Sequence, residues 1–178
     1  MSLSHRAFTF EHHLFQRELR PMLEAALASG ALAPLRQFIE ENLPYLKDPN
    51  DGAPLEEDWE QHLEAHDVDQ YGDVALTKYY SPDLDGGIGS AWMDLDARLA
   101  TMSLASSTLG ATIGSGQCRF DPGKIGSYFQ SPNEVHRNLK ALCEASSGMP
   151  AELLPSLSSF IALLHNATEK RLGLYVTF

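Results

Sequence analysis

The stretch "PSLSSFIALLHNATEKRLGLYVTF", residues 155–178, decides the fold class, because a helical pattern passes directly into a strand pattern. The first part repeats apolar residues at helical spacing and predicts a helix from about Pro155. The positions expected to face the core are Leu157, Phe160, Ile161 and Leu164. The last part, "LGLYVTF", is rich in β-branched and aromatic residues and predicts an edge or central strand. The chain therefore combines helices with sheet.

Apolar periodicity and capping residues predict further helices upstream. They cover approximately residues 11–29, 34–44, 55–66, 92–102 and 131–142. Pro21 is expected to kink or divide the first helix, and Gly30 to end it. Ser90 is the expected N-cap of the helix at 92–102, and Ser131 with Glu134 has the spacing of a capping box.

Two further segments have the composition of strands. Residues 73–80, "DVALTKYY", lie between Gly72 and Pro82 and predict one strand, and residues 118–120 predict a second, shorter one. Together with the helices, these segments predict an α+β fold, a mostly helical single domain with a small β-sheet. The domain is expected to span residues 1–178, with 1–3 interpreted as a cloning prefix.

The composition indicates a globular protein of the cytoplasm. The 178 residues are 43% hydrophobic and 21% charged, which excludes a disordered chain. Apolar runs fall short of the roughly 20 residues of a membrane span, and no signal peptide precedes the polar start. Cys118 and Cys143 are therefore expected to be reduced thiols rather than a disulfide.

Negative charge is concentrated in the middle of the chain. The formal net charge is −11, yet residues 48–96 hold fourteen Asp or Glu against the single base Lys78. The rest of the chain carries a small net positive charge. Binding to nucleic acid needs clustered Lys and Arg, so the distribution argues against a nucleic-acid ligand. A basic protein or a metal cation suits this surface better.

The glycine loop "DLDGGIGS", residues 83–90, has three interpretations. A phosphate site is disfavoured, because the spacing fits neither dinucleotide nor P-loop patterns and Asp83 and Asp85 repel phosphate. A calcium loop of the EF-hand type fails, because Ile88 falls at the position of the invariant glycine. A cation site of another kind stays open, and a turn between two elements is the third interpretation.

A histidine pair offers an enzymatic alternative. His62 and His66 lie four residues apart on the predicted helix at 55–66, so both rings would share one face and could bind a divalent metal. Asp58, which lies on the same face, could complete the ligand set, and Asp67 and Asp69 are the other candidates. The alternative function is then a metal-dependent enzyme of the hydrolase class, whereas a solvated helix face is the structural interpretation.

The favoured hypothesis is a non-catalytic protein-binding module without a cofactor. Its binding residues are expected to be acids and tyrosines of the negative segment, since Tyr is frequent at interface hot spots and complementary charge selects partners. They are Glu56, Glu57, Tyr79, Tyr80, Asp83 and Asp85. In the predicted strand the two tyrosines alternate, so one is expected to face solvent. An inhibitor or immunity-like protein for a basic partner is one concrete version, and a merely solvated surface is the alternative.

Overall fold

The computed structural model describes residues 3–64 and 67–178. Its centre is a three-stranded antiparallel sheet of β1 (Arg6–Phe10), β2 (Ser127–Gln130) and β3 (Gly173–Thr177), in the order β1-β3-β2. Tyr175 of β3 pairs with Phe8 on one side and with Phe129 on the other. The predicted carboxyl-terminal strand is confirmed and is the central one, whereas β1 and β2 were not predicted.

Helices pack on both faces of this sheet. The described residues contain α1 (His12–Glu18), α2 (Arg20–Ser29), α3 (Ala33–Asn42), α4 (Val68–Leu76), α5 (Trp92–Thr101), α6 (Pro132–Ala145) and α7 (Leu154–Glu169). Short 3₁₀ turns extend some of them, as at Leu43–Tyr45 after α3 and Thr77–Tyr79 after α4. The predicted α+β fold, mostly helical with a small sheet, is confirmed.

The alternation of side chains along β3 separates two hydrophobic cores. Tyr175 belongs to the core formed with α1–α4, and Leu174 and Val176 belong to the core formed with α5–α7. All three side chains are almost completely buried. The terminal strand is therefore covered on both faces, which explains why its sequence is apolar at successive positions rather than at every second one.

The capping predictions are confirmed at three places. The first predicted helix divides at Leu19, which separates α1 from α2 just before Pro21. Gly30 ends α2 with φ 73°, in the left-handed region that glycine adopts without strain. Ser131 and Glu134 form the complete capping box of α6.

The strand predicted at 73–80 is wrong. Residues 68–76 form α4, because the Asp67 carboxylate caps the helix by accepting from the N–H groups of Asp69 and Gln70. Tyr71, Val74 and Ala75 then face the first core at helical spacing. Burial of that face outweighs the β-propensity of Val, Thr and Tyr in the segment.

Three smaller predictions also fail. The helix predicted at 55–66 is reduced to the 3₁₀ turn Trp59–His62, because Leu63 is already extended with ψ 150°. Ala91, not Ser90, occupies the N-cap position of α5. The short strand predicted at 118–120 is absent, and the 3₁₀ turn Gly116–Cys118 lies at its start. None of the described helices is long and apolar enough to cross a membrane.

Candidate functional site

The glycine loop lies along the free edge of β1. The N–H of Gly86 donates to the carbonyl oxygen of Ala7 at 2.9 Å, and His5 and Gly89 exchange two backbone hydrogen bonds at 3.0 and 3.1 Å. A side chain at Gly87 would overlap the carbonyl oxygen of His5 and approach Cα of Arg6 to 2.7 Å. The loop therefore covers the edge strand by close backbone contact, which favours the structural interpretation of its glycines.

Asp85 holds this loop in place. Its Oδ1 accepts from the backbone N–H groups of Ala7 at 3.0 Å and Gly87 at 2.8 Å, and its Oδ2 lies 3.5 Å from Nε of Arg6. A carboxylate that accepts two backbone hydrogen bonds and forms an ion pair contributes to the fold directly. Asp85, one of the predicted partner-binding residues, therefore has a structural role in attaching the glycine loop to β1.

Tyr79 and Tyr80 are both buried, so the expectation that one of them faces solvent is wrong. Tyr79 is 2% exposed and donates its hydroxyl to the Glu18 carboxylate at 3.2 Å. Tyr80 is 8% exposed and packs its ring 4.8 Å from that of Phe8 and 5.0 Å from that of Tyr175. The two residues adopt these positions because the segment is a 3₁₀ turn over the core and not an alternating strand.

The acidic segment forms an open groove of about 260 Å³ at residues 48–63, called here the acidic groove. Three carboxylates line it, those of Asp48, Asp51 and Glu56. Its apolar lining includes the side chains of Leu55, Trp59 and Leu63, and His62 completes the wall. Trp59 is 6% exposed and is anchored edge-on against Tyr71, with ring centroids 5.4 Å apart. Negative charge is thereby arranged beside a fixed aromatic surface.

Local hydrogen bonds shape the wall of the groove. Oδ1 of Asp48 accepts from the N–H of Asn50 at 2.7 Å, and Oδ1 of Asp51 accepts from the N–H of Ala53 at 2.8 Å. A backbone hydrogen bond of 2.8 Å from Asp48 to Ala53 closes the turn. Asp side chains often accept hydrogen bonds from backbone N–H groups two residues further along the same turn, and both residues do so here. The loop therefore presents its acids in a defined arrangement.

The charges of the groove are not neutralised within the described part of the chain. Neither Asp48, Asp51 nor Glu56 forms an ion pair with a Lys or Arg side chain there. The nearby cation Lys47 bonds instead to Asp83 at 3.0 Å and to the hydroxyl of Ser81 at 3.2 Å.

Two more of the predicted binding residues are exposed beside the groove. Asp83 is 53% exposed at its side chain, and a Cβ at Gly52 would lie 3.3 Å from its backbone nitrogen, so it abuts the same turn. The adjacent Lys47 lowers the pKa of Asp83. Glu57 is exposed and follows Glu56 directly in the chain. The structure therefore places Glu56 in the groove lining and Asp83 against the turn of the groove, whereas Glu57 is not among the lining residues.

The predicted metal ligands are only partly within the described residues. Nε2 of His62 lies 4.0 Å from Oδ2 of Asp58, with both side chains largely exposed on the 3₁₀ turn. His66 lies outside the described residues. Within residues 3–64 and 67–178, no group of three or more His, Cys, Asp or Glu side chains is placed to hold a metal ion. The metal-dependent hydrolase stays a prediction.

A second cleft was not anticipated from the sequence. Its volume is about 430 Å³, and it lies between α1–α2, the segment 111–113 and the start of α6. Polar lining side chains include His12, Gln16, Arg20 and Glu134. More than a hundred residues separate His12 from Glu134, so no local pattern could signal their meeting.

Comparisons with known proteins identify no relative. No protein-family model matches the chain, no curated protein matches it, and no solved structure matches it.

Proposed function

We propose that the protein is a non-catalytic binding module that holds a basic segment of a partner protein in the acidic groove. One observation carries the proposal: Asp48, Asp51 and Glu56 surround an apolar surface containing Trp59, and no Lys or Arg of the described chain pairs with them. Isolated acidic side chains are ordinary on protein surfaces. Here three carboxylates lie around the indole of Trp59, which Tyr71 fixes in place, and they form a recess that suits a long cationic side chain.

An Arg or Lys side chain of the partner fits both parts of this recess. Its methylene groups cover the partly exposed side chains of Leu55 and Leu63, and its cationic end reaches the carboxylates. Arg is favoured over Lys, because a guanidinium binds carboxylates in bidentate fashion. The partner is therefore expected to present Arg flanked by small or apolar residues.

The charge of the surrounding segment supports an inhibitor or immunity-like role. Its net charge of −13 over residues 48–96 raises the rate of encounter with a basic protein and disfavours acidic competitors. A protein that must neutralise a basic enzyme benefits from both effects. The role rests on charge complementarity, and its concrete consequence is association that weakens steeply with ionic strength.

Fluorescence of Trp59 tests the groove directly. The variant Trp92→Phe leaves Trp59 as the single tryptophan, and the probes are short peptides with one central Arg between alanines, together with the same peptides carrying Gln at that position. We expect the Arg peptide to change Trp59 emission and the Gln peptide to leave it unchanged. Binding should weaken as salt is added.

A charge-matched control separates the groove from the net charge. The groove variant is Asp48→Asn, Asp51→Asn and Glu56→Gln, in which each amide oxygen can still accept the hydrogen bonds of the turn. The control variant is Glu144→Gln, Glu152→Gln and Glu169→Gln, three exposed positions outside the groove lining. Loss of Arg-peptide binding in the groove variant alone supports the proposal. Equal binding by both variants contradicts it.

A further inference from the structure

The second cleft contains a continuous chain of polar side chains along α1 and α2. Nε of Arg20 donates to Glu24 at 2.8 Å, and Nη1 of Arg20 donates to Oε1 of Gln16 at 2.9 Å. Nε2 of Gln16 then meets Nε2 of His12 at 3.2 Å. Three side chains that line the cleft are thereby held in one orientation.

This chain determines where the proton of His12 resides. A guanidinium can only donate, so it must face the amide oxygen of Gln16, and the amide nitrogen of Gln16 must face His12. Nε2 of His12 therefore accepts, and the proton lies on Nδ1 in the neutral ring. Burial lowers the pKa of His12, which also favours the neutral form. His12 is thus a neutral donor with its Nδ1–H unpaired in the described part of the chain.

Opposite charges flank His12. Nη2 of Arg20 makes no hydrogen bond within residues 3–64 and 67–178, so this end of the guanidinium can donate to a ligand. Oε2 of Glu134 accepts from the N–H and hydroxyl of Ser131 at 2.7 and 2.6 Å, whereas its Oε1 has no such partner there. Both charged residues line the same cleft as His12. The cleft thus offers one cation, one anion and a neutral donor.

We propose that this cleft binds a small zwitterion, a free α-amino acid, with its carboxylate at Arg20 and His12 and its ammonium group at Glu134. Ile113 and Phe129 line the same cleft and provide an apolar wall for the side chain of the ligand. The volume of about 430 Å³ falls in the usual range of small-molecule sites. This site is separate from the acidic groove and shares no lining residue with it.

The lining excludes ligands of a single charge. A simple anion would bring its charge towards Glu134, and a simple cation would bring its charge towards Arg20, each with unfavourable desolvation. A neutral molecule would leave the free donors and acceptor of Arg20 and Glu134 without charged partners. A ligand with both charges satisfies the two ends together, which is why an amino acid fits better than phosphate, an amine or a hydrocarbon.

Thermal unfolding of the full chain with each standard amino acid tests the site. A ligand that binds only the folded state raises the melting temperature, and titration calorimetry then gives its affinity. We expect at least one amino acid to bind. Its N-acetyl form, which lacks the ammonium charge, and its amide, which lacks the carboxylate, should each bind roughly tenfold more weakly or worse.

Cleft variants supply the second part of the test. Arg20→Gln and Glu134→Gln should each weaken binding by roughly tenfold or more, whereas Arg17→Gln, an exposed position on α1 outside the lining, should bind like the unaltered protein. Glu134→Gln keeps the capping box, since Gln also serves at that position, so it carries the test if Arg20→Gln fails to fold. The proposal is overturned if no amino acid binds, if both blocked forms bind as well as the parent, or if the folded cleft variants bind like Arg17→Gln.

Discussion

The backbone N–H of Ile88 donates a hydrogen bond to Nδ1 of His5 at 3.2 Å. A backbone amide can only donate, so Nδ1 accepts and the ring proton lies on Nε2, which donates to the carbonyl oxygen of Thr108 at 2.9 Å. His5 is completely buried between these partners. One neutral imidazole therefore joins β1, the glycine loop and the segment that follows α5.

Protonation of His5 should destabilise the fold. Burial lowers the pKa of His5 below its ordinary value of 6.5, and protonation would place an N–H against the N–H of Ile88. A lowered histidine pKa contributes stability that is present above pH 6.5 and is lost as the pH falls towards the folded-state value. Urea unfolding at descending pH should show this loss, and His5→Gln should show a shallower one. Identical slopes in the two proteins would contradict the assignment.

A methyl group at Gly87 should detach the glycine loop from β1. The methyl group would overlap the carbonyl oxygen of His5 and lie 2.8 Å from the amide nitrogen of Ala7. Both contacts are to backbone atoms, which cannot move aside as a flexible side chain can. Gly87→Ala should therefore lower the free energy of unfolding by roughly 2–4 kcal/mol. Gly89→Ala is the matched control, because its Cβ meets nothing within 4 Å and only its φ of 69° is strained. Gly89→Ala should lower the free energy of unfolding by about 1 kcal/mol. Equal losses would refute the edge contact.

Asp85 and Asp83 should differ in what their removal does. Asp85→Ala leaves the N–H groups of Ala7 and Gly87 without their acceptor, so unfolding should become easier by roughly 1–2 kcal/mol. Asp83→Ala removes an exposed ion pair with Lys47 and should change stability little. Chemical denaturation of both variants measures the difference. A larger loss for Asp83→Ala would reverse the roles assigned to these two acids.

Local signals predicted the helices better than the strands. The capping box at Ser131 and the left-handed stop at Gly30 are local chemistry and could be read from a few residues. The prediction for residues 73–80 failed because their Val, Thr and Tyr side chains suit a strand, while the decisive cap, Asp67, lies outside the segment. Strand β1 is only five residues long, and its pairing with β3 joins opposite ends of the chain.

The excess of negative charge was visible in the sequence, but the sequence did not show which acids have structural contacts and which line the groove. Composition locates the acids in residues 48–96, yet it cannot distinguish the carboxylate of Asp51, which bonds the backbone of its own turn, from that of Asp85, which is engaged by the backbone of Ala7 in β1. The cleft at His12 depends on Glu134, which the fold brings there from α6. Tertiary contacts of this kind have no local pattern, so both sites needed the structure.

The metal-dependent alternative makes its own prediction. If His62, His66 and Asp58 bind a divalent ion, protein purified without a histidine tag or chelator should contain about one equivalent of metal by mass spectrometry. His62→Ala should abolish it, since loss of one ligand from a small set removes most of the affinity. His13→Ala, at an exposed histidine elsewhere, is the control. Folded protein without metal, or metal that persists in His62→Ala, would exclude this ligand set.

Asp73 should impose a pH dependence opposite to that of His5. Desolvation by burial and the negative charge of Asp48 raise the pKa of Asp73 to about 7, from an ordinary value of 3.8. The stability that its neutral form contributes is present below pH 3.8 and is lost as the pH rises through 7. Asp73→Asn cannot ionise, so above neutral pH it should unfold less readily than the unaltered protein, by on the order of 2 kcal/mol.

The two effects oppose each other over the same acidic range of pH. Protonation of His5 weakens the fold as the pH falls below 6.5, whereas Asp73 recovers its proton over that range and offsets part of the loss. Asp73→Asn lacks this offset and should therefore lose more stability than the unaltered protein as the pH falls from 6.5 to 3.8, and His5→Gln should lose less, as measured by urea unfolding. The half-buried His12 has a lowered pKa as well and retains part of the loss in His5→Gln. If Asp73→Asn loses stability like the unaltered protein, the carboxyl of Asp73 stays ionised in the fold over this range and offsets nothing.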